Sequence, residues 1–454
     1  MTSVVVLHAL DKSSRQTTID FVASFGRFAP AGFQVSFLNA FLPGVDLDSV
    51  PKIDCLVVTY DLLSYRNHPY LSFFAAEMVG KLANSADRTF LFPQDDYTNP
   101  KWLENLIRDV QPNAVYTPVF RGGDLVYRNT WGQTRFEPVL TGYFLPSLNH
   151  AASPTGRSSD RNVDFGGRVR RLPPVFGPGA NEKSVFGNRL AQALKSDGFR
   201  VDFSDSEQSQ LTNSWSEFLR SLRFTPVVDG GATRIDRDGS ETAWFFRLRR
   251  LGYSERLAHL LTKRAIPESG DFRAPGPRVF EAISSGAAMV LPRGQELHGM
   301  EEGEHFIAVD WDLTDLDQAK LAMRDRSMQP HLAQNAHDFL LAREELHYKG
   351  FVSEFYSRET NSLGGHSVRL ESGVNRLDCI PENLHRDLNA CWSRGAEMPA
   401  RFDPITLGFD GVGQDDLDQE TWDEWLNLVD QVALGKAPKA ALKHTWLGGP
   451  LIGP

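Results

Sequence analysis

Cysteine is scarce in this chain of 454 residues: there are three, Cys55, Cys379 and Cys391. An odd, low count without metal-ligand spacing argues against a disulfide framework and against a zinc or haem centre, and it suits a reducing compartment. Long apolar runs are missing as well. No stretch approaches the roughly 20 residues that cross a bilayer. The opening MTSVVVLHALDKSS has no basic region ahead of its short apolar run, so it reads as a first β-strand and not as a signal peptide. The expected location is cytoplasmic. An excess of positive charge is absent too: 48 Lys and Arg against 58 Asp and Glu leave a formal charge of -10. That balance argues against a general nucleic-acid binder and leaves membrane contact peripheral at most. Repeats, low-complexity tracts and the P-loop pattern G-x4-G-K-[ST] are not found.

What is present is alternation. The length exceeds what one hydrophobic core supports, so two lobes plus an appendage are expected. Strands are predicted at 3–9 (SVVVLHA, a continuous apolar run), 33–39, 54–61, 88–93 and 113–118, with helices between them. Strands of that kind belong in a parallel sheet covered on both faces. The stretch NPKWLENLIRDVQP opens with Asn99 as the expected helix cap and an early proline. Residues 122–159 are irregular and read as a connector. A second alternating unit has strands at 161–167, 199–204, 224–231, 287–292 and 305–312, and a last long helix over 333–358. The predicted division is an N-terminal Rossmann-like lobe with connector at 1–150, a second Rossmann-like lobe at 151–358, and an extension at 359–454. For the Trp-rich extension (Trp392, Trp422, Trp425, Trp446), packing onto the lobes is the favoured reading over a sugar platform.

Ligands bind in such folds where strands end, and four stretches at strand ends carry chemistry. In RVFEAISSGAAMVLP a helix opens with Arg278 and places Glu281 one turn in. The helix start favours a diphosphate, and the carboxylate can accept two ribose hydroxyls; an exposed Glu on an ordinary helix would look the same. In NVDFGGRVRRLPPVFGPGANEKS, glycines precede Arg168, Arg170, Arg171 and Lys183. Arg168 and Lys183 are the expected phosphate grips, with a solvated basic loop as the plain alternative. In VVDGGATRIDRDGS, Gly230 and Gly231 permit close backbone approach and Asp236 is a sugar-hydroxyl candidate, unless the segment is only a turn. In LFPQDDYTNP, Asp95 and Asp96 are candidate general bases for an acceptor hydroxyl, Asp96 alternatively starting a turn. His8, ending the first strand, is a further base candidate, although a lone histidine there usually serves packing. The basic stretch FFRLRRLGYSERL reads best as a solvated helix.

The order RVFEAISSGAAMVLPRGQELHGMEEGEHFIAVDWDLTDLDQAKLAMRD, followed by AQNAHDFLLAREELHYKGFVSEFY, resembles the donor lobe of GT-B glycosyltransferases, in particular the spore-maturation-protein-like branch. Gly231, Ala232, Thr233, Asp236 and Gly239 follow that branch's G-(A/S)-(S/T)-x-x-D-x-x-G order, and Gln94 to Tyr97 follow its Q-D-(D/E)-Y. The resemblance implies GT-B architecture: two Rossmann-like lobes facing a cleft. It also implies sugar transfer from a nucleotide-diphosphate-sugar donor to a hydroxyl of a glycan, lipid-linked glycan or small acceptor, with no cofactor and no essential metal. By it, Glu281 falls on the ribose-binding carboxylate. One departure stands out. Families with E-x7-E have a Glu where this chain has Arg273, so that role has no carrier and the stereochemical outcome stays open. A nucleotide-sugar epimerase or hydrolase, or a non-catalytic assembly protein, would keep the same donor lobe.

Overall fold

A computed structural model describes residues 2–10, 14–40, 52–67, 71–119, 121–146, 161–205, 215–262 and 270–360. The four tryptophans of the extension, Cys379 and Cys391 lie outside them. The first lobe runs β1 (Thr2–His8), α1 (Gln16–Arg27), β2 (Phe33–Asn39), β3 (Cys55–Val58), α2 (Tyr60–Leu63), α3 (Leu71–Asn84), β4 (Thr89–Leu91), α4 (Pro100–Val110), β5 (Ala114–Thr117), α5 (Gly123–Val126) and β6 (Phe136–Pro138). Its six parallel strands lie in the order β2-β1-β3-β4-β5-β6. Five were expected; β6 arises inside the predicted connector, where FEP pairs with β5.

Coverage on both faces, with side chains alternating between them, explains why inner strands such as β1 and β3 are apolar almost throughout. Val4 and Val6 of β1 and Cys55 and Val57 of β3 face one layer, whereas Leu7, Leu56 and Val58 face the other. The second layer holds Leu71, Ala75, Met78, Val79 and Leu82 of α3 with Leu103, Leu106 and Ile107 of α4. Cys55 is buried, and burial pushes its thiol up to about 12.

The second lobe contains β7 (Val163–Arg168), α6 (Glu182–Ser196), β8 (Val201–Ser204), α7 (Trp215–Ser221), β9 (Leu222–Pro226), α8 (Ser240–Arg250), α9 (Glu255–Thr262), α10 (Arg278–Ser284), β10 (Ala288–Pro292), β11 (Phe306–Val309), α11 (Leu316–Arg324) and α12 (Met328–Leu341). Its five strands are parallel, in the order β11-β10-β9-β7-β8. The same alternation recurs: Met289 and Leu291 face one layer, Ala288 and Val290 the other. The α/β class and the two Rossmann-like lobes are as the sequence implied.

The last helix differs from expectation. The run predicted as one helix breaks after Leu341, passes through a short 3-10 turn at Glu344–Leu346, and restarts as α13 (Tyr348–Thr360). At Gly350 a Cβ would lie 1.9 Å from the Glu344 carbonyl oxygen, so only glycine lets the restarted helix close on the turn. α13 returns to the first lobe. Tyr348, Phe351, Val352, Phe355 and Tyr356 join Phe21 and Phe25 of α1 and Phe90, Phe92 and Tyr116 of the sheet. Phe92 stacks on Tyr116 at 4.6 Å between ring centroids, and Glu359 accepts the Tyr116 hydroxyl at 2.5 Å. The division expected at 358/359 therefore falls inside a helix that belongs spatially to the first lobe.

The lobes are also joined directly. Asp236 N–H donates to the Tyr97 carbonyl at 3.0 Å, and Asn99 N–H donates to the Asp236 carbonyl at 2.7 Å. Asn99 is left-handed (φ 50°, ψ 48°) and makes no side-chain cap; its amide donates to the Arg66 carbonyl instead. The expected capping role is thus replaced by a role in the joint. No helix among the described residues is long and apolar enough to cross a membrane.

Candidate functional site

In the first sheet the strand order reverses between β1 and β3, the kind of position where ligands bind in open α/β sheets. Asp61, just past β3, accepts the Ala9 N–H at 2.6 Å and the Thr59 hydroxyl at 2.5 Å, fixing the turn out of β1. That connection ends at Arg15, the residue that begins α1. From the second lobe, Lys183 stands second in α6 and Arg278 first in α10. Three cations from both lobes thus occupy helix starts. A helix start is partially positive, so a cation there is disfavoured by up to about 1 kcal/mol at an exposed site.

These groups meet. Burial pushes the Lys183 ammonium down to about 8; Arg278, Arg15 and Arg170 push it the same way, and Asp95 opposes them. Burial lowers the Arg278 guanidinium, Arg15 lowers it further, and Glu281 opposes both by raising it. Among the described residues no hydrogen bond or ion pair holds the side chains of Lys183, Arg278, Arg15 or Arg170, apart from the stacking of Arg278 over the Trp215 ring at 4.6 Å. Most other arginines of the lobes are engaged by carboxylates or carbonyls. An assembly of four cations at this density is completed electrostatically by a polyanion.

Glu281 borders the cluster. It is half-buried on α10, and its Oε2 accepts the Trp215 Nε1–H at 3.0 Å. Trp215 therefore orients Glu281 with its ring edge and supports Arg278 with its face. Glu281 also reaches across to α1. Burial pushes Asp20 up to about 6, Gln16 and Arg27 hold it down, and the Glu281 charge pushes it further up.

Other predicted residues take different places. Arg168 pairs with Asp202 on the edge strand β8 (2.8 Å) and stacks on Phe218 at 4.1 Å. Its neighbour Arg170 is the one that acts on Lys183. Gly231 has φ 135°, and a Cβ there would lie 2.7 Å from the Phe272 carbonyl. Gly230 exchanges backbone hydrogen bonds with Ala274 at 3.1 and 2.8 Å. The close approach these glycines permit is therefore to the chain's own 272–274 segment, and Gly230 also leaves room for the Lys183 ammonium, 3.3 Å from its absent Cβ. Asp236 is a correction to the sugar-hydroxyl expectation. Both its carboxylate oxygens are taken by the Glu241 and Thr242 N–H groups (3.3 and 2.8 Å), which tie down the first turn of α8.

The acidic pair separates. Asp96 is fully buried, and its Oδ2 accepts the hydroxyls of Thr117 and Tyr127, the latter at 2.6 Å. Burial holds its carboxyl above the usual range, and it faces the core of the first lobe. Asp95 is exposed, adopts φ 55°, accepts the Tyr97 hydroxyl on Oδ1 at 2.6 Å and acts on Lys183. A left-handed aspartate is uncommon, and here it turns one side chain outward while its successor turns inward. His8 is buried, and burial pushes it down to about 3. Its Nδ1 accepts the Leu10 N–H at 3.2 Å, so the ring is neutral with its proton on Nε2. Such a histidine is a poor base, and packing is its role.

Arg15, Arg170 and Trp215 are the site residues that sequence reasoning did not select. The position of Arg15 at the end of the first strand–helix connection was a usable signal; nothing in WSEFLRSL distinguished Trp215. Among the described residues no group of three His, Cys, Asp or Glu side chains is placed to hold a metal ion.

No protein-family model and no curated protein matches the chain. Among solved structures the chain is similar to HepE of Anabaena in complex with UDP-glucose, at 10% identity and TM-score 0.38, covering 79% of this chain and 100% of that one. It is also similar to sucrose-phosphate synthase from Thermosynechococcus elongatus (9%, TM-score 0.41, covering 80% and 100%). A third likeness is to the β-glucosyltransferase of phage T4 (11%, TM-score 0.43, covering 78% and 99%).

Proposed function

We propose that the chain is a glycosyltransferase that moves a sugar from a nucleotide-diphosphate donor to a hydroxyl acceptor. The observation that carries this reading is the convergence of Lys183, Arg278, Arg15 and Arg170, none of which forms an ion pair among the described residues, beside a carboxylate one helical turn from Arg278. A diphosphate satisfies the cations and the three helix starts together. Glu281, oriented by Trp215, then accepts hydroxyls of the attached ribose. The departing nucleoside diphosphate gains negative charge as the glycosidic bond breaks, and fixed cations stabilise that charge without reorganising. Asp95, from the opposite lobe, takes the proton of the acceptor hydroxyl as its oxygen attacks the anomeric carbon. The chain's own side chains supply all of these roles, so the proposal includes no cofactor and no metal. Placement in the spore-maturation-protein-like branch rests on the RVFEA helix and belongs to the same proposal.

The test is a thermal-shift titration with nucleoside diphosphates and nucleotide-sugars, followed by product analysis with and without an acceptor. A nucleotide-sugar should raise the melting temperature by native-state binding, and Glu281→Ala should weaken it about 10- to 100-fold through loss of charged hydrogen bonds. Stabilisation unchanged by Glu281→Ala would refute the ribose role. Sugar released equally with and without acceptor would replace transfer by donor hydrolysis.

A further inference from the structure

We propose that the α8–α9 hairpin is a docking surface for an anionic lipid bilayer. Sequence reading favours a solvated helix here, but the structure distributes the residues otherwise. Phe245, Leu248, Ala258 and Thr262 are buried against the lobes. The opposite side carries Leu251, Leu260, Leu261 and Leu257, exposed by 66%, 61%, 48% and 42%, together with Phe246 and Tyr253. On α9 the residues Arg256, Leu257, Leu260 and Leu261 are spaced three and four apart, so they form one outward face. Single exposed leucines are ordinary, whereas six large apolar side chains within 16 residues make a patch that requires a partner.

Charge identifies the partner. Arg247, Arg249, Arg250 and Arg256 are exposed among these apolar groups. The hairpin's two acids are already taken: Glu241 pairs with Arg234 at 3.0 Å and Glu255 with Arg171 at 3.3 Å. A chain with net charge -10 therefore presents a local face that is both apolar and cationic. Leucines suit the acyl boundary of a bilayer and guanidinium groups suit its phosphate headgroups. A second copy of the chain fits less well, because a two-fold contact would set these arginines against themselves. The face also borders the donor site, since the Arg171–Glu255 pair ties α9 to the segment carrying Arg170.

The full chain should sediment with phosphatidylglycerol-containing vesicles and not with vesicles of phosphatidylcholine alone, and rising salt should weaken the association. Leu257→Asp with Leu260→Asp should lower the bound fraction about tenfold or more, because apolar burial supplies most of the attraction. Arg250→Gln with Arg256→Gln should abolish the preference for anionic lipid. All four positions are exposed, so the melting temperature of each variant should match the parent. Failure to sediment with either vesicle, or equal binding by the leucine variant, would overturn the proposal. So would a leucine variant that turns a dimer into a monomer by light scattering with vesicle binding untouched, since the face would then be a contact between copies.

Discussion

Replacing Lys183 by Met gives the most direct test of the cation cluster, because it separates the cost of the cluster from its use. The fall from 10.5 to about 8 corresponds to about 3 kcal/mol of disfavoured charge. Water at this half-buried position screens the cost to about 1–2 kcal/mol. The pH dependence has a definite sign. Below about pH 8 the lysine is protonated in both folded and unfolded chains, so the penalty is complete; between about 8 and 10.5 the folded chain sheds its proton first and the penalty fades. Lys183→Met should therefore be more stable than the parent at pH 7 by about 1–2 kcal/mol, raising the melting temperature by a few degrees at most. The advantage should be gone near pH 10.5. A bound diphosphate reverses the logic. It restores the ammonium, so binding at about pH 9 should take up roughly 0.9 proton, and affinity should fall as pH rises through 8. Titration calorimetry in two buffers of different ionisation enthalpy measures that uptake. Absent proton uptake in the parent, or uptake that survives Lys183→Met, would refute the assignment of this lysine to the phosphates.

Three further substitutions separate neighbouring roles. Asp95→Asn should cut turnover by about 10²–10⁴-fold while nucleotide binding is no weaker, and Asp96→Asn should leave turnover intact; steady-state kinetics and binding titrations distinguish them. Asp236→Ala should cost about 1–2 kcal/mol by denaturant unfolding, because two N–H groups at the start of α8 lose their acceptor, with nucleotide affinity unchanged. Gly231→Ala should destabilise by about 2–3 kcal/mol in the same assay, since its φ and the Phe272 carbonyl both exclude a side chain.

The strands were legible because burial on both faces writes a continuous apolar word such as CLVV or AMVLP, and all ten predicted strands form. The sixth strand of the first sheet was not, because FEP at an edge carries no such pattern. Lys183, Arg278 and Glu281 were legible as charged residues at helix starts next to small-residue turns. Arg168 against Arg170 was not, because which of two nearby arginines finds Asp202 depends on the pairing of β7 with β8. The two aspartates were equivalent in sequence. A left-handed backbone at the first sends them to opposite environments, and local composition does not encode that.

The return of α13 has a bearing on how the polypeptide reaches this arrangement. A ribosome-bound nascent chain cannot finish its first half when that half has emerged, because Phe351 and Phe355 are yet to be made. The intervening lobe is translated first, and only afterwards is the aromatic wall on α1 closed over. A fragment ending near residue 146 should consequently be sticky, and a useful single-lobe variant would splice 348–360 directly onto it.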